Sequence, residues 1–156
     1  MIAILKDVIL DTSYLLPLFG VKVEGIDENI LFELSNQGIN LFYPKLLIIE
    51  LIAKIGREAA KRGLLEPPIE TIEALNALLL EVDINLIEPS IKHLETAIKL
   101  RILGHKDMFD NILYATAFHE KKYLLMEDPT YLKFLRKNNF PVNFIVNQLT
   151  VKKILS

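Results

Sequence analysis

The stretch Asp7–Ser13, with the sequence DVILDTS, joins a short apolar run to an acidic residue and two hydroxyl residues. The run Val8–Leu10 is typical of a buried strand, and Asp, Thr and Ser are common where a helix begins. The stretch therefore predicts a strand, a turn and a helix. Asp11 is expected at the carboxyl end of the strand, where the chain leaves the sheet.

Apolar runs and capped helices alternate through the rest of the chain. The predicted strands are Asp7–Leu10, Ile39–Tyr43, Ile84–Ile87, Tyr123–Met126 and Asn143–Val146. The predicted helices are Tyr14–Phe19, Asp27–Gln37, Pro44–Arg62, Ile69–Val82, Ile91–Leu103, Asp107–Lys121 and Pro129–Lys137. This alternation predicts an α/β fold with a central parallel sheet of four or five strands and helices on both faces. We expect a single domain, residues 1–156.

The composition limits the class of protein. Hydrophobic residues make up 51% of the chain and the mean hydropathy is +0.31, which suggests a sheet covered on both faces or a surface buried against a partner. No segment approaches the roughly 18 uninterrupted apolar residues of a membrane span. No secretory signal is readable at the amino terminus, so a cytoplasmic location is expected.

The cysteine content and the charge restrict the chemistry. The chain has no Cys, which excludes disulfides and thiolate catalysis, so oxygen or imidazole would hold any metal ion. The net charge of −2 argues against a domain that wraps nucleic acid through bulk positive potential. It does not exclude nucleic acid as a substrate that is held by metal ions and a local basic stripe.

Four acidic residues interrupt segments with the pattern of buried strands or helices: Asp11, Glu50, Asp110 and Asp128. A buried carboxylate costs roughly several kcal/mol unless a cation or hydrogen bonds compensate. Asp11 and Asp128 follow predicted strands, and the carboxyl ends of parallel strands share the edge where open α/β folds bind ligands. Glu50 and Asp110 lie on helices that can project towards that edge.

Each acid also has a local alternative. The aspartates that precede a predicted helix can act as N-caps: Asp11, Asp107 and Asp128. Asp110 can complement the helix dipole in the first turn of its helix. Glu50 has apolar neighbours on every side, and a pair with Lys54 one turn later is its main alternative.

Converging carboxylates repel one another unless a divalent cation neutralises their charge. Oxygen ligands favour Mg²⁺ or Mn²⁺ over zinc or copper, and Mg²⁺ sites commonly include a substrate phosphate. The pattern therefore predicts phosphoryl transfer to water, in which the metal activates a water and stabilises charge on the phosphate.

The order of these motifs along the chain resembles that of PIN-domain nucleases. The matching segments are Val8–Ser13, Glu50 on its apolar helix, Asp110–Ala117 and Leu124–Asp128, and together they span nearly the whole chain. The resemblance implies a PIN-like three-layer α/β/α fold and endonucleolytic cleavage of RNA with Mg²⁺ or Mn²⁺. The chain is similar to the single-domain VapC-type toxins of toxin–antitoxin pairs, which implies an RNA substrate, a homodimer and a cognate antitoxin.

Carried over position by position, the resemblance assigns the catalytic metal carboxylates to Asp11, Glu50 and Asp110, with Asp128 as the fourth acid. Thr12 or Ser13 matches the family's hydroxyl beside the first acid, which orients a carboxylate or a water. Asp107 adds a carboxylate one turn before Asp110, which leaves open which of the two is the stronger ligand. Glu127 stands where members of this family often have a polar or basic residue before the last acid.

Basic residues near the acids are candidates for RNA contact. Lys54 and Arg57 lie on one face of the helix that carries Glu50, and Lys106 precedes the next acidic helix. These side chains can guide an RNA backbone towards the metals. The alternative is a solvated face on which the cations pair with Glu58.

Two other function classes fit the same sequence. A Mg²⁺-dependent phosphomonoesterase with a nucleophilic aspartate is disfavoured, because Asp11-Thr12-Ser13 lacks a second aspartate two residues after the first. A catalytically inactive interaction module on the PIN scaffold would instead use its apolar excess to bind a protein or RNA.

Overall fold

The computed structural model describes residues 5–156 of the protein. The strands in this range are β1 (Asp7–Leu10), β2 (Asn40–Pro44), β3 (Ile84–Ile87), β4 (Tyr123–Leu125) and β5 (Ile145–Val146). They form one parallel sheet with the order β3-β2-β1-β4-β5. Residues 1–4 of the predicted domain, and with them the start of the chain where no secretory signal was expected, lie outside the described residues.

Helices connect the strands and cover the sheet. The α-helices within residues 5–156 are α1 (Thr12–Leu15), α2 (Ile30–Asn36), α3 (Ile48–Lys61), α4 (Ile69–Leu79), α5 (Ile91–Ile102), α6 (Met108–Glu120), α7 (Pro129–Lys137) and α8 (Gln148–Leu155). Single 3₁₀ turns follow α1 at Leu16–Phe19 and precede α3 at Lys45–Leu47. None of the helices in this range is both long and apolar enough to cross a membrane.

The burial of β1 shows that the sheet has helices on both faces. Successive residues of a strand point to opposite faces, yet Val8, Ile9 and Leu10 all have 0% of their surface exposed. Each face of the central strand is therefore covered. The α/β fold with three layers, α/β/α, is confirmed, and so is the parallel sheet, which has five strands.

The strand order creates a switch point beside β1. From β1 the chain builds outward to β2 and β3 on one side, and then returns to place β4 and β5 on the other side. Connections therefore leave the carboxyl ends of β1 and β4 in opposite directions, which opens a crevice at that edge. Asp11 follows β1 directly at this crevice, as the sequence predicts.

Some element boundaries differ from the sequence prediction. Pro44 was expected to open a helix, but it is the last residue of β2 and pairs with Ile87 of β3. A proline φ of about −65° suits both a helix start and an extended strand end, so the residue type does not separate the two. The helices predicted at Tyr14–Phe19, Asp27–Gln37 and Ile69–Val82 and the strand at Asn143–Val146 are observed as Thr12–Leu15 with a 3₁₀ turn, Ile30–Asn36, Ile69–Leu79 and Ile145–Val146.

Helix α8 was missed altogether. Asn147 caps it by accepting a hydrogen bond from the Thr150 backbone N–H at 2.8 Å. Lys152 forms an ion pair with Asp27 at 2.6 Å, and Val151 is fully buried. The ion pair of Lys152 with Asp27 joins segments more than a hundred residues apart. Tertiary packing of this kind stabilises short helices that have little stability alone.

Candidate metal centre

Strand β1 brings Asp11 to the carboxyl edge of the sheet. The Asp11 backbone N–H donates to the Leu125 carbonyl at the end of β4, at 3.2 Å. The Asp11 side chain makes no capping hydrogen bond to α1, so the N-cap alternative is wrong for this residue. Its Oδ2 accepts a hydrogen bond from the Ser13 hydroxyl at 3.2 Å instead. The carboxylate is thus oriented by a side chain rather than used to start a helix.

Glu50 lies in the first turn of α3, and both of its oxygens have partners. Oε1 accepts a hydrogen bond from Thr12 Oγ1 at 2.5 Å, and Oε2 is 3.6 Å from the Lys54 ammonium. Thr12 Oγ1 is also 2.7 Å from the Tyr43 hydroxyl, which donates to the Leu47 carbonyl at 2.9 Å. The Glu50 side chain is only 12% exposed, so a buried network of hydroxyls fixes its orientation.

Asp110 lies in the first turn of α6 and is held by His105. The His105 Nε2 is 2.8 Å from Asp110 Oδ2, and because an ionised carboxylate only accepts hydrogen bonds, the ring nitrogen donates. The His105 ring packs against Tyr131 and Phe134, with centroid distances of 4.3 and 5.3 Å. Gly104, with a φ of 122°, allows the turn after α5 that places His105 there.

Asp107 and Asp128 act as N-caps in the structure. Asp107 Oδ1 accepts from the backbone N–H groups of Phe109 and Asp110 at 2.9 and 3.3 Å. Asp128 Oδ1 accepts from the Tyr131 backbone N–H at 3.0 Å. Each aspartate keeps its second oxygen, Oδ2, outside these capping bonds, so a cap and a metal ligand are compatible roles for either residue.

The pKa of Asp11 reflects the charges around it. Burial, together with the negative charges of Glu50 and Asp110, raises the pKa of Asp11 from its ordinary value of 3.8 to about 6. The Lys54 ammonium and the Ser13 hydrogen bond oppose the rise. Because Coulomb interactions weaken with distance, the charges that act on Asp11 belong to groups close to it. The charges of Glu50 and Asp110 therefore both act on the Asp11 carboxylate, while the assignment of these acids to one metal site stays a prediction.

The pKa of Asp110 reflects the charges of the remaining acids. Burial raises the pKa of Asp110, the His105 hydrogen bond lowers it, and the charges of Asp107 and Asp128 raise it, so that the net pKa is about 6. Asp128, which follows β4, thus lies near the same cluster. Asp11 is thus coupled to Glu50 and Asp110, and Asp110 is coupled in turn to Asp107 and Asp128.

The candidate RNA-contact residues lie on the surface beside this group. Lys54 is partly buried against Glu50, while Arg57 and Lys106 are exposed. Arg57 follows Lys54 by three residues on α3, so the two side chains share one helix face. The nearby pair of Lys61 and Glu58, at 3.9 Å, is exposed on the same helix.

The donor set fits a hard divalent cation. Carboxylate oxygens are the ligands that Mg²⁺ and Mn²⁺ prefer, and burial and neighbouring negative charges raise the pKa values of Asp11 and Asp110, so a cation would stabilise their ionised forms. Within residues 5–156, however, no group of three or more His, Cys, Asp or Glu side chains is already arranged so that it could hold a metal ion. Side chains such as Glu50, which is engaged with Thr12 and Lys54, would have to rotate.

Two residues near the centre were not assigned to it from the sequence. His105 contacts Asp110 directly, but the three histidines show no ligand spacing and no pattern pairs His105 with an acid. Tyr43 was expected in the core, and it is fully buried, yet its hydroxyl also contacts Thr12. A Tyr at the end of a buried strand signals packing, and only the fold shows which group its hydroxyl meets.

Glu127, which stands in place of the polar or basic residue often found before the last acid of the family, has hydrogen-bond partners that explain its presence. Glu127 Oε1 accepts a hydrogen bond from the Tyr14 hydroxyl at 2.5 Å and from the Gln148 backbone N–H at 2.7 Å. The side chain therefore joins the helical segment after β1 to the start of α8. Among the hydrogen bonds of residues 5–156, none joins the Glu127 side chain to Asp11 or Asp110.

Solved structures share the fold of the chain at low sequence identity. PAE2754 from Pyrobaculum aerophilum is 14% identical with a TM-score of 0.58, over 97% of this chain and 98% of that chain. VapBC2 from Rickettsia felis, bound to a DNA fragment from its promoter, is 13% identical with a TM-score of 0.55, over 90% and 98% of the two chains. A toxin–antitoxin complex from Klebsiella pneumoniae is 16% identical with a TM-score of 0.53, over 89% and 95%.

The family assignment comes from the sequence model of the PIN domain, which matches residues 8–134. No curated protein matches the chain. The matched range includes β1 to β4 and every acidic residue of the candidate centre. The resemblance inferred from the motifs is confirmed, and the chain belongs to the PIN domain family.

Proposed function

We propose that this protein is a single PIN domain, residues 1–156, that hydrolyses RNA phosphodiester bonds as an endoribonuclease with Mg²⁺ or Mn²⁺. The observation that supports the proposal is that Asp11 directly follows β1 at the carboxyl edge of the sheet, and that the charges of Glu50 and Asp110, which are distant in sequence, both raise its pKa. Membership in the PIN domain family supports a nuclease activity.

The residues of the centre divide into ligands and supports. Asp11, Glu50 and Asp110 are the principal metal ligands, and Asp128 is the fourth acid. Asp107 already caps α6 through Oδ1, so we favour Asp110 as the stronger ligand of that pair. Thr12 and Ser13 orient Glu50 and Asp11 through their hydroxyls. Lys54, Arg57 and Lys106 contact the RNA backbone.

The chemistry is hydrolysis without a covalent enzyme intermediate. Asp11, Glu50 and Asp110 would hold a Mg²⁺ or Mn²⁺ ion, which would supply activation of a water molecule and stabilisation of the charge that develops on the phosphate. The chain fixes the carboxylates that orient the attacking water, and its cationic side chains hold the substrate phosphates. The low exposure of Glu50 and Asp110, at 12% and 23% of their side chains, strengthens these electrostatic interactions by excluding water.

The test compares Asp11→Asn with Asp83→Asn in cleavage of single-stranded RNA with Mn²⁺. Asparagine keeps the shape of aspartate but lacks its charge, so Asp11→Asn should lower cleavage by about 100-fold or more, since even partners outside the ligand shell contribute roughly 10- to 100-fold. Asp83 is exposed, so Asp83→Asn controls for the substitution itself. Equal cleavage by both variants contradicts the proposal. Absence of Mn²⁺ binding in calorimetry, with all acids intact, would favour an inactive interaction module.

We further propose that the protein is the toxin of a toxin–antitoxin pair and forms a homodimer. The fold similarity to the Klebsiella pneumoniae toxin–antitoxin complex and to VapBC2 supports an antitoxin partner. Exposed apolar side chains support burial against other chains, including Leu65 at 99% and Ile102 at 78% exposure. Expression should arrest growth in the wild-type form but not as Asp11→Asn, and light scattering should give twice the monomer mass.

A further inference from the structure

Glu50 is neutralised by a lysine of its own helix. The Lys54 ammonium lies 3.6 Å from Glu50 Oε2, one turn further along α3. Thr12 holds the other oxygen, Oε1. The Lys54 side chain is 34% exposed while that of Glu50 is 12% exposed, so the ammonium reaches inward from the surface to a largely buried acid. This geometry differs from the exposed pair of Lys61 and Glu58 on the same helix.

The Lys54 ammonium also acts on Asp11. Its positive charge is one of the influences that hold the pKa of Asp11 down against burial and against the charges of Glu50 and Asp110. One ammonium therefore lies within electrostatic reach of two of the three acids proposed to bind the metal ion. The third acid, Asp110, has a separate partner in His105.

We propose that the Lys54 ammonium is the resident counter-cation of Glu50, and that a divalent ion must displace it before Glu50 and Asp11 can share that ion. The inference rests on the proposed function, because it concerns the same carboxylates. A cation at Glu50 Oε2 and a divalent ion bound to the same oxygen would repel each other strongly at such a distance. The lysine has a flexible four-carbon stem and an exposed side, so it can swing out to solvent.

Once it is displaced from Glu50, the Lys54 ammonium can bind RNA. Arg57 is exposed on the same face of α3, three residues further on. An ammonium released from Glu50 joins Arg57 at the mouth of the centre, where phosphate groups of RNA approach. Lys54 thus opposes metal binding and supports RNA binding. A lysine that only stabilised α3 would not have opposite effects on these two quantities.

The experiment measures Mn²⁺ affinity by calorimetry for the wild type, Lys54→Met and Lys61→Met. Methionine keeps the length of the stem without its charge, and Lys61→Met removes the matched exposed lysine of the same helix. Lys54→Met should bind Mn²⁺ about threefold to tenfold more tightly than the wild type, the range expected for loss of one partly screened ion pair. Lys61→Met should bind as the wild type does. Lys54→Arg keeps the charge and should restore the weaker affinity.

RNA binding provides the opposite readout. With saturating Mn²⁺, Lys54→Met should raise the KM for single-stranded RNA. RNA affinity should also depend less steeply on salt concentration, by an amount that corresponds to about one phosphate contact. If the wild type binds Mn²⁺ and Lys54→Met binds it equally or more weakly, this inference is overturned and the proposed function is not. Failure of the wild type to bind Mn²⁺ overturns the proposed function and this inference with it.

A crystal structure of the wild-type protein with Mn²⁺ tests the displacement without any substitution. The Lys54 Nζ should lie beyond ion-pair distance from Glu50 Oε2, with the ion in its place. A structure in which Mn²⁺ is bound and the pair remains at about its present 3.6 Å overturns the inference, even if Lys54→Met fails to fold.

Discussion

Thr12 donates a hydrogen bond to Glu50 from Oγ1 to Oε1 across 2.5 Å, although the two residues lie 38 positions apart in the chain. This contact joins the turn after β1 to the first turn of α3. Thr12 has no exposed surface, so its hydroxyl has few alternative partners. The contact fixes one oxygen of Glu50 inside the protein and directs the other towards Lys54 and the candidate metal centre.

Replacing Thr12 with Val should weaken metal binding while leaving the fold in place. Valine fills the same space without the hydroxyl, so Glu50 loses the donor that orients it. Mn²⁺ affinity and RNA cleavage should fall by about 10- to 100-fold, as for other partners that orient a ligand. Thr12→Ser keeps the hydroxyl and should retain most of both.

A matched buried threonine controls for the loss of a hydroxyl. Thr116 is 1% exposed and donates to the Ile112 carbonyl at 2.7 Å within α6. Thr116→Val should lose stability without a change in Mn²⁺ affinity. If Thr12→Val binds Mn²⁺ as tightly as the wild type in calorimetry, Thr12 does not orient a ligand.

The raised pKa of Asp11 predicts how stability depends on pH in the absence of metal. The pKa is about 6 in the folded protein against an ordinary value of 3.8, so the folded state holds a proton that the unfolded chain releases. The stabilising contribution is fully present below about pH 4 and is lost as the pH rises through about 6. In EDTA, the wild type should lose roughly 1–3 kcal/mol of unfolding free energy over this window, relative to Asp11→Asn.

Urea denaturation at pH 4.5 and pH 7 checks this dependence. Comparison with Asp11→Asn is needed because other carboxyl groups also shift with pH: Asp7 and Asp27 have lowered pKa values and Asp110 a raised one, and both proteins share these groups. Saturating Mn²⁺ should reverse the trend, since the ion binds ionised carboxylates. Parallel pH profiles for the wild type and Asp11→Asn would show that Asp11 is not crowded by other charges.

The sequence was informative about the sheet because its central strand, β1, is buried on both faces. Burial on both faces leaves continuous apolar runs such as Val8–Leu10, and parallel strands share one carboxyl edge, so the convergence of Asp11 with acids on other elements follows from the topology. The helix start predicted at Pro44 was wrong because the proline φ suits both a strand end and a helix start.

Side-chain pairing was much less predictable. The sequence indicates a hydroxyl beside the first acid, but it does not indicate that Thr12 would bind Glu50 while Ser13 binds Asp11. Helix α8 was missed for a similar reason, since Gln148 is held by Glu127 and by the distant Gly25 carbonyl. Such contacts depend on the assembled fold, and no local pattern encodes them.

Removing the His105 side chain should disorder Asp110. The ring donates to Asp110 and packs on Tyr131, so His105→Ala should lower Mn²⁺ affinity by about tenfold, as for other ligand-orienting partners. His105→Gln keeps an amide donor and should recover part of this affinity. His119→Ala is the control, because His119 instead contacts Thr96; equal Mn²⁺ affinities in calorimetry for both alanine variants would exclude a role for His105 in holding Asp110.

Replacing Glu127 with Ala should separate stability from metal binding. Glu127 accepts hydrogen bonds from the Tyr14 hydroxyl and the Gln148 backbone N–H. Water can replace Glu127 at the exposed Gln148 N–H, but the buried Tyr14 side chain loses its acceptor, so the unfolding free energy should fall by about 1–3 kcal/mol. Mn²⁺ affinity should stay within about twofold of the wild type, because screening by water leaves only a weak effect of a charge that does not contact the ion. Asp110→Asn should show the opposite result, with weakened Mn²⁺ binding and a stability equal to or above that of the wild type, since it removes a crowded charge. If Glu127→Ala loses Mn²⁺ binding as Asp110→Asn does, then Glu127 belongs to the metal centre and the anchoring of α8 is secondary.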